Sequence, residues 1–256
     1  MIKLLITSLG ITLVINFVLF LIAFRKQSDK FTDFAYSASF ITVSLVILAV
    51  SEHRTLLLYL MSAMVLLWAL RLGGFLVYRI RKSGRDTRFD ELRPHFFKFL
   101  KFWLGQGFVA WLLLLPLMFV ASRESHFGLV SGIGVIIWAV GLIVEAIADQ
   151  QKYRFKQRPE NKNAWIDEGI WHYSRHPNYF GEMCVWVGFY VVALMSMTGA
   201  ERVVALVSPL AIIISLLFIS GIPLLEKSAD ARWGNDKAYR SYKRRTSVLV
   251  PLWHKK

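Results

Sequence analysis

The chain has 256 residues, of which 55% are hydrophobic, with a mean hydropathy of +0.47 and a formal net charge of +14. That is more apolar side chain than a soluble domain of this length has interior to hide, so a water-soluble globular class gives way to a membrane protein. The basic excess points to nucleic acid, an anionic leaflet or an anionic ligand, and the single cysteine, Cys184, excludes an internal disulfide.

The opening run MIKLLITSLGITLVINFVLFLIAF is too long for the apolar core of a signal peptide. It lacks a small-residue cleavage site before the next polar turn, so it reads as a retained transmembrane helix. A hydrocarbon core of ~30 Å needs about 20 mostly apolar residues per helix. Seven segments meet that requirement: 2–24, 31–50, 55–78, 99–121, 128–148, 180–199 and 202–225. Their runs are continuous rather than alternating, which favours helices over barrel strands. The expectation is an all-α membrane protein, one seven-helix domain spanning 1–256, without repeats or linkers. Lys and Arg concentrate after segments 1, 3 and 5 and in the C-terminal tail, whereas the opposite side carries only Lys3, Arg54, Arg123 and Arg202. The positive-inside rule then places the N-terminus outside and the C-terminus in the cytoplasm.

Polar residues interrupt this apolar background. Segment 2 begins SDKFTDFAYSASF, in which Asp33, Tyr36 and Ser37 share a helix face. A tyrosine facing an internal cavity could donate a hydrogen bond or proton to a carbonyl; equally, Tyr36 could be an interfacial aromatic and Asp33 part of the loop. Arg71, in segment 3, would cost ~2.5–3.5 kcal/mol at a helix centre. It either snorkels to the headgroups or, beside Gly73 and Gly74, meets a close-packed neighbour or a ligand. The loop after segment 3 holds Arg79, Arg81, Lys82, Arg85 and Arg88. Glu145 and Asp149, four apart at the end of segment 5, share a face and want cations or hydroxyls between them. The loop that follows mixes basic residues with Asn161, Asn163, Trp165, Asp167 and Asn178, and the tail adds Tyr239 and Tyr242. Basic residues alone would be topology signals against anionic lipid, at ~1 kcal/mol each. Mixed with carboxylates and amides, they suit a small phosphorylated ligand with sugar and base, rather than nucleic acid: arginines clamp phosphate, and the acids and amides meet hydroxyls and ring edges.

Glu182 lies just inside segment 6. In a helix starting near Tyr179 it occupies the first turn, where the macrodipole favours a carboxylate by up to ~1 kcal/mol. Asn178 four residues earlier, and Glu226 beside Lys227 at the end of segment 7, suggest instead that these groups face a cavity or a partner. His176 precedes Pro177 and so has extended backbone suited to finishing a loop. No His, Cys and carboxylate cluster has metal-ligand spacing, and no Ser or Cys has an evident base. Trp103 and Trp253 read as interface anchors.

The stretches ENKNAWIDEGIW, SRHPNYFGE and LLEKSADARWGNDKAYRSYKRRTSVLVP, with LWALRLGGFLVYRIRKSGRDTRF earlier, resemble the bacterial branch of the steroid 5α-reductase superfamily over roughly residues 65 to 253. The resemblance implies a seven-helix membrane reductase that uses NADPH to saturate a carbon–carbon double bond conjugated to a ketone. It implies that Asn178 and Glu182 hold the nicotinamide carboxamide region. Glu145, Asp149 and Lys156 would contact adenosine and phosphates, with Arg71, Arg79 and Arg85 in the basic set of segment 3 and its loop. Lys227, Asn235 and Tyr242 would lie in a tail that closes over the cofactor. Segment 2 departs from the pattern: the Gln-Glu pair that binds the steroid ketone in animal members is absent, and Trp68 sits about where their tyrosine would be. Asp33 and Tyr36 stand in as the candidate polar anchor and proton donor.

The expected function is therefore NADPH-dependent reduction of a 3-oxo-Δ4-steroid or similar lipophilic enone entering from the bilayer, by a monomer in a bacterial inner membrane with its cofactor site on the cytoplasmic side. The alternative is an S-adenosylmethionine-dependent enzyme like the isoprenylcysteine carboxyl methyltransferases, which carry a similar Arg-His-Pro stretch but bind a ligand without phosphates. A non-enzymatic lipid-binding or scaffold protein would need the charge for topology alone.

Overall fold

The computed structural model describes residues 1–28, 31–83 and 90–252, with the backbone alone over 76–83. Eleven α-helices are described: α1 (Ile2–Arg25), α2 (Thr32–Val50), α3 (Leu56–Ser83), α4 (Phe96–Leu113), α5 (Leu115–Ala121), α6 (Leu129–Gln157), α7 (Pro177–Ala193), α8 (Gly199–Ala205), α9 (Val207–Ile214), α10 (Ile222–Trp233) and α11 (Lys237–Arg245). No strand occurs among the described residues; Ser174 and Ser247 form an isolated parallel bridge. Six helical stretches are long and apolar enough to cross a membrane, or seven if α4 and α5 count as one span. The seven apolar segments of the sequence thus reappear as helices, and their differences in detail have local causes. Segment 99–121 is two helices bent by 45°, because Pro116 falls in the first turn of α5 and cannot continue the hydrogen-bond ladder of α4. Segment 202–225 is divided into α8, α9 and α10, with a π-helical turn over Ser215–Ile219 in which Ser220 N donates to Ser215 O at 2.8 Å. Helix α6 continues nine residues beyond the apolar run, since Ala148 and Phe155, two turns apart, pack on Ile166 and Trp171. Asp33 lies within α2 rather than in the loop before it.

Two compact units are distinguished, the first comprising 1–132 and 189–208 and the second 133–188 and 209–256. In the first, α1 packs against α2 and α4, and α2 against α3. The buried face of α1 is polar for half its length: Ser8, Thr12 and Asn16 precede Phe20 and Ala23 at spacings of four and then three residues. Asn16 Nδ2 donates to Thr12 O at 2.8 Å and Ser39 Oγ at 3.0 Å, while Gln106 Nε2 of α4 donates to Asn16 Oδ1 and Thr32 O, both at 3.1 Å. Between apolar helices in lipid such bonds, averaging ~0.6 kcal/mol, fix which faces meet. Below this seam Phe20, Ala23, Ala35, Phe99 and Trp103 form an apolar cluster. Trp103 is fully buried there, so the expectation that it anchors the membrane interface is corrected; Trp253 lies outside the described residues.

Helices α2 and α3 meet at Gly73, where a Cβ would fall 2.5 Å from Ser37 Oγ and 2.8 Å from Ser37 Cβ. The serine Cβ is fixed to its backbone and cannot swing away, so the helices would have to separate. Gly73→Ala is expected to destabilise the first unit by about 1–3 kcal/mol. Thermal unfolding in detergent should show a lowered midpoint, restored in part by adding Ser37→Gly.

Candidate functional site

The site-bearing part of the second unit is built where α6 and α7 touch through their backbones. A Cβ on Gly181 would lie 2.6 Å from Glu145 N and 2.7 Å from Gly141 O, and one on Gly141 would lie 2.7 Å from Gly181 O. Gly188 repeats the contact two helix turns further along, where a Cβ would fall 2.5 Å from Trp138 N. This small-residue seam needs glycine at each of these crossings. It sets Glu145, 3% exposed, directly against Gly181, whose neighbour is Glu182. Asn178 and Glu182, both half-buried, are one turn apart on a single face of α7. Helix α7 begins at Pro177, a residue preorganised for the first helical position, so Glu182 falls in the second turn. The dipole effect fades within the first turn; the reading of Glu182 as a helix-start carboxylate is therefore corrected. Asp149 is half-buried one turn beyond Glu145, and Lys156 is exposed near the end of α6.

The residues just before α7 are fastened to the C-terminal helices. Glu226 of α10 accepts from Arg175 Nη1 at 2.5 Å and Lys243 Nζ at 2.9 Å through Oε2, and contacts His176 Nε2 at 2.9 Å through Oε1. An ionised carboxylate can only accept, so the imidazole carries its proton on Nε2. Lys243 also donates to both oxygens of Asp230, at 2.7 and 2.9 Å. His176 is 5% exposed and stacks on Tyr179, 5.8 Å between ring centroids. Burial, above all, depresses its pKa below the ordinary 6.5; the Glu226 bond pulls the other way, and the charges of Lys152 and Arg175 add to the depression. His176 thus does more than finish a loop, and this cluster escaped the sequence analysis. Arg175, His176 and Glu226 were each visible there, but some fifty residues separate the partners.

Hydrogen bonds to backbone carbonyls continue the fastening. Ser174 Oγ donates to Leu249 O at 2.6 Å, and Arg175 N to Ser247 O at 2.9 Å. Tyr242 is buried with its hydroxyl donating to Trp171 O at 3.0 Å, and burial raises its pKa. Its phenol therefore braces the loop that carries Trp171. Trp233 Nε1 donates to Asn163 O at 2.7 Å, and Trp165, Trp233 and Tyr239 pack ring on ring, with centroids 5.3 to 6.2 Å apart. Lys227 is exposed on α10, and Asn235 is exposed in the turn before α11.

The remaining candidates belong to the first unit or fall outside the description. Tyr36, half-buried on α2, meets Phe40 edge-on at 5.0 Å and Trp68 at 6.3 Å, and Trp68 is buried on α3. Asp33 is half-buried one turn before it. Arg71 is half-buried on α3 with its Nε shielded from solvent, two residues before the Gly73 contact. The side chain of Arg79 and all of Arg85 lie outside the described residues. No group of three His, Cys, Asp or Glu suited to a metal occurs among the described residues.

These features define a helical protein of the membrane class, with polar chemistry gathered around the start of one span. The chain matches the family model described as protein of unknown function DUF1295 over residues 19–246, and it belongs to that family. The family is related to steroid 5α-reductase-like membrane proteins. Comparison with curated proteins and with solved structures returns no match.

Two outcomes follow from the Glu226 cluster. Glu226→Gln leaves the cation of Arg175, whose side chain is 11% exposed, without its counter-charge; a loss of about 3 kcal/mol or more is expected. It should be read as a lower denaturation midpoint together with faster proteolysis of the tail after Arg245. Because the pKa of His176 is lower in the folded chain, the unfolded chain takes up the proton first as pH falls below 6.5. Stability should therefore decline on acidification below that value, and His176→Gln should flatten that slope in a pH series of melting curves.

Proposed function

We propose that the chain is a membrane reductase that uses NADPH to saturate the carbon–carbon double bond of a steroid-like or other flat lipophilic enone taken from the bilayer. The observation that supports this most directly is the donor set at the α6–α7 crossing. One amide, Asn178, and two carboxylates, Glu182 and the buried Glu145, lie around a backbone contact that admits no side chain. A nicotinamide carboxamide has one acceptor and two donor hydrogens, and an amide with carboxylates suits both. Asp149, further along α6, suits ribose hydroxyls, and Lys156 beyond it suits phosphate. The residues present fit the group.

In this reading NADPH supplies hydride. Asn178 and Glu182 orient the carboxamide, and the buried setting of Glu145 makes each hydrogen bond there stronger than in water. Tyr36 is the candidate to polarise the enone carbonyl, with Asp33 one turn away. Arg71, Arg79, Arg85, Lys227 and Asn235 are further candidates for cofactor contact. The alternative, an S-adenosylmethionine-dependent methyltransferase, draws support from one observation. Arg158 and Arg175 each already face a carboxylate, Glu168 at 3.0 Å and Glu226 at 2.5 Å, which leaves them less free for phosphate.

Titration calorimetry of the detergent-purified protein with NADPH, NADH and S-adenosylmethionine in parallel separates these readings. The reductase predicts heat with NADPH in preference to NADH. Glu182→Gln should weaken that binding by about 10- to 100-fold, the worth of one hydrogen bond to a charged group. Heat with S-adenosylmethionine alone would remove the reductase from consideration, and silence with all three would favour a non-enzymatic protein. Tyr36→Phe should lower the turnover of an enone substrate while leaving NADPH affinity unchanged.

A further inference from the structure

Within the second unit the end of α11 and the tail after it form a groove of about 520 Å³, lined by Arg175, Lys243, Arg244, Arg245, Thr246 and Ser247 and, beyond them, by the apolar residues Val248, Leu249, Val250 and Leu252. Its two ends differ in chemistry. At one end are four basic side chains and two hydroxyl-bearing residues. Arg175 and Lys243 are balanced by Glu226 and Asp230. Arg245 approaches Asp167 only at 3.7 Å, and Arg244 is exposed with no ion-pair partner among the described residues. The Nε of Arg175 is shielded from solvent, without an acceptor among the described residues, and so does not face the groove. Arg244 and the loosely paired Arg245 therefore leave positive charge at this end for an anion. At the other end Val248 and Val250 are each 43% exposed and Leu252 is 55% exposed, in a stretch that bends through 248–250.

We propose that this groove binds an anionic phospholipid of the surrounding bilayer, with the headgroup phosphate among Arg244, Arg245 and Ser247 and an acyl chain along Val248 to Leu252. Charge complementarity selects the anion, and the apolar lane selects a lipid over a nucleotide. None of the lining residues is a carboxylate or amide that could meet ribose hydroxyls or a base edge, whereas a hydrocarbon chain has apolar wall to cover. The occupied groove would splint the tail against Tyr173 and Ser174, where it is otherwise held by a few backbone bonds such as Leu252 N to Tyr173 O at 3.4 Å.

Native mass spectrometry of the full chain, incubated in mild detergent with phosphatidylglycerol or phosphatidylcholine, tests the proposal. Phosphatidylglycerol should be retained in preference to phosphatidylcholine. The double variant Arg244→Ala, Arg245→Ala should lose about 25-fold in retention, about fivefold for each basic residue near an anionic headgroup. Lys237→Ala with Arg240→Ala removes the same charge from the exposed part of α11 outside the groove and should keep most of the retention. Val250→Asp leaves every basic residue in place and should also lose the lipid; it decides the matter if the arginine variant does not fold. Equal retention of the two lipids, equal loss in the two double variants, or an unaffected Val250→Asp protein would overturn the proposal. Displacement of the lipid by inorganic phosphate or by NADPH would overturn it too, by assigning the basic end to a free anion or to the cofactor.

Discussion

A carboxylate that three side chains from two other elements converge upon organises the polar end of the second unit. Glu226 on α10 receives Arg175 and His176 from the residues before α7, and Lys243 from α11. Removing these charges from water is costly, and their mutual attraction offsets the cost only when the geometry satisfies each of them. What such a cluster gives is registration. Pro177 follows His176 directly, so the start of α7, and with it Asn178 and Glu182, is placed by a contact some fifty residues away in sequence. The neutral imidazole contributes a directed N–H bond without adding a further buried charge.

The other fixed point is the backbone contact of α6 with α7. Lipid tails are as apolar as leucine, so helices in a bilayer gain little by hiding leucine from them. They associate through close packing and hydrogen bonds instead. The second unit uses close packing: Gly141, Gly181 and Gly188 remove side chains where the helices cross. The first unit uses both devices, a hydrogen-bonded seam through Asn16, Ser39 and Gln106 and the Gly73–Ser37 contact. In the second unit a functional candidate sits beside the packing device: Glu145 is against Gly181. Close packing keeps lipid away from such a group and allows an ionisable side chain to persist there.

The C-terminal segment combines these roles. Tyr242 and the Ser174–Ser247 bridge hold it to the loop before α7, Glu226 and Asp230 neutralise part of its positive charge, and Arg244 leaves charge to spare. The same stretch thereby braces the loop before α7 and lines the groove beside Arg244.

The helices were legible in the sequence because a bilayer imposes a length and a composition on whatever crosses it, and runs such as 2–24 and 31–50 show both directly. Breaks within runs were less legible. Pro116 stood in plain view, yet whether a proline bends or divides a helix depends on what packs around the turn. The polar residues Asp33, Arg71, Glu145, Asn178 and Glu182 drew attention because polarity is rare within apolar runs. Their company did not show: Trp103 looked like an interface anchor and is core, and His176 looked like loop and is tied to Glu226. Sequence alone settled the class of the protein, its helical spans and which residues are chemically out of place. The pairing of Glu226 with Arg175 and His176, the glycine contact at Gly181 and the groove beside Arg244 were decided only in three dimensions. Hydrophobic periodicity is a local property of the chain, whereas ion pairing and close packing depend on residues that sequence distance keeps apart.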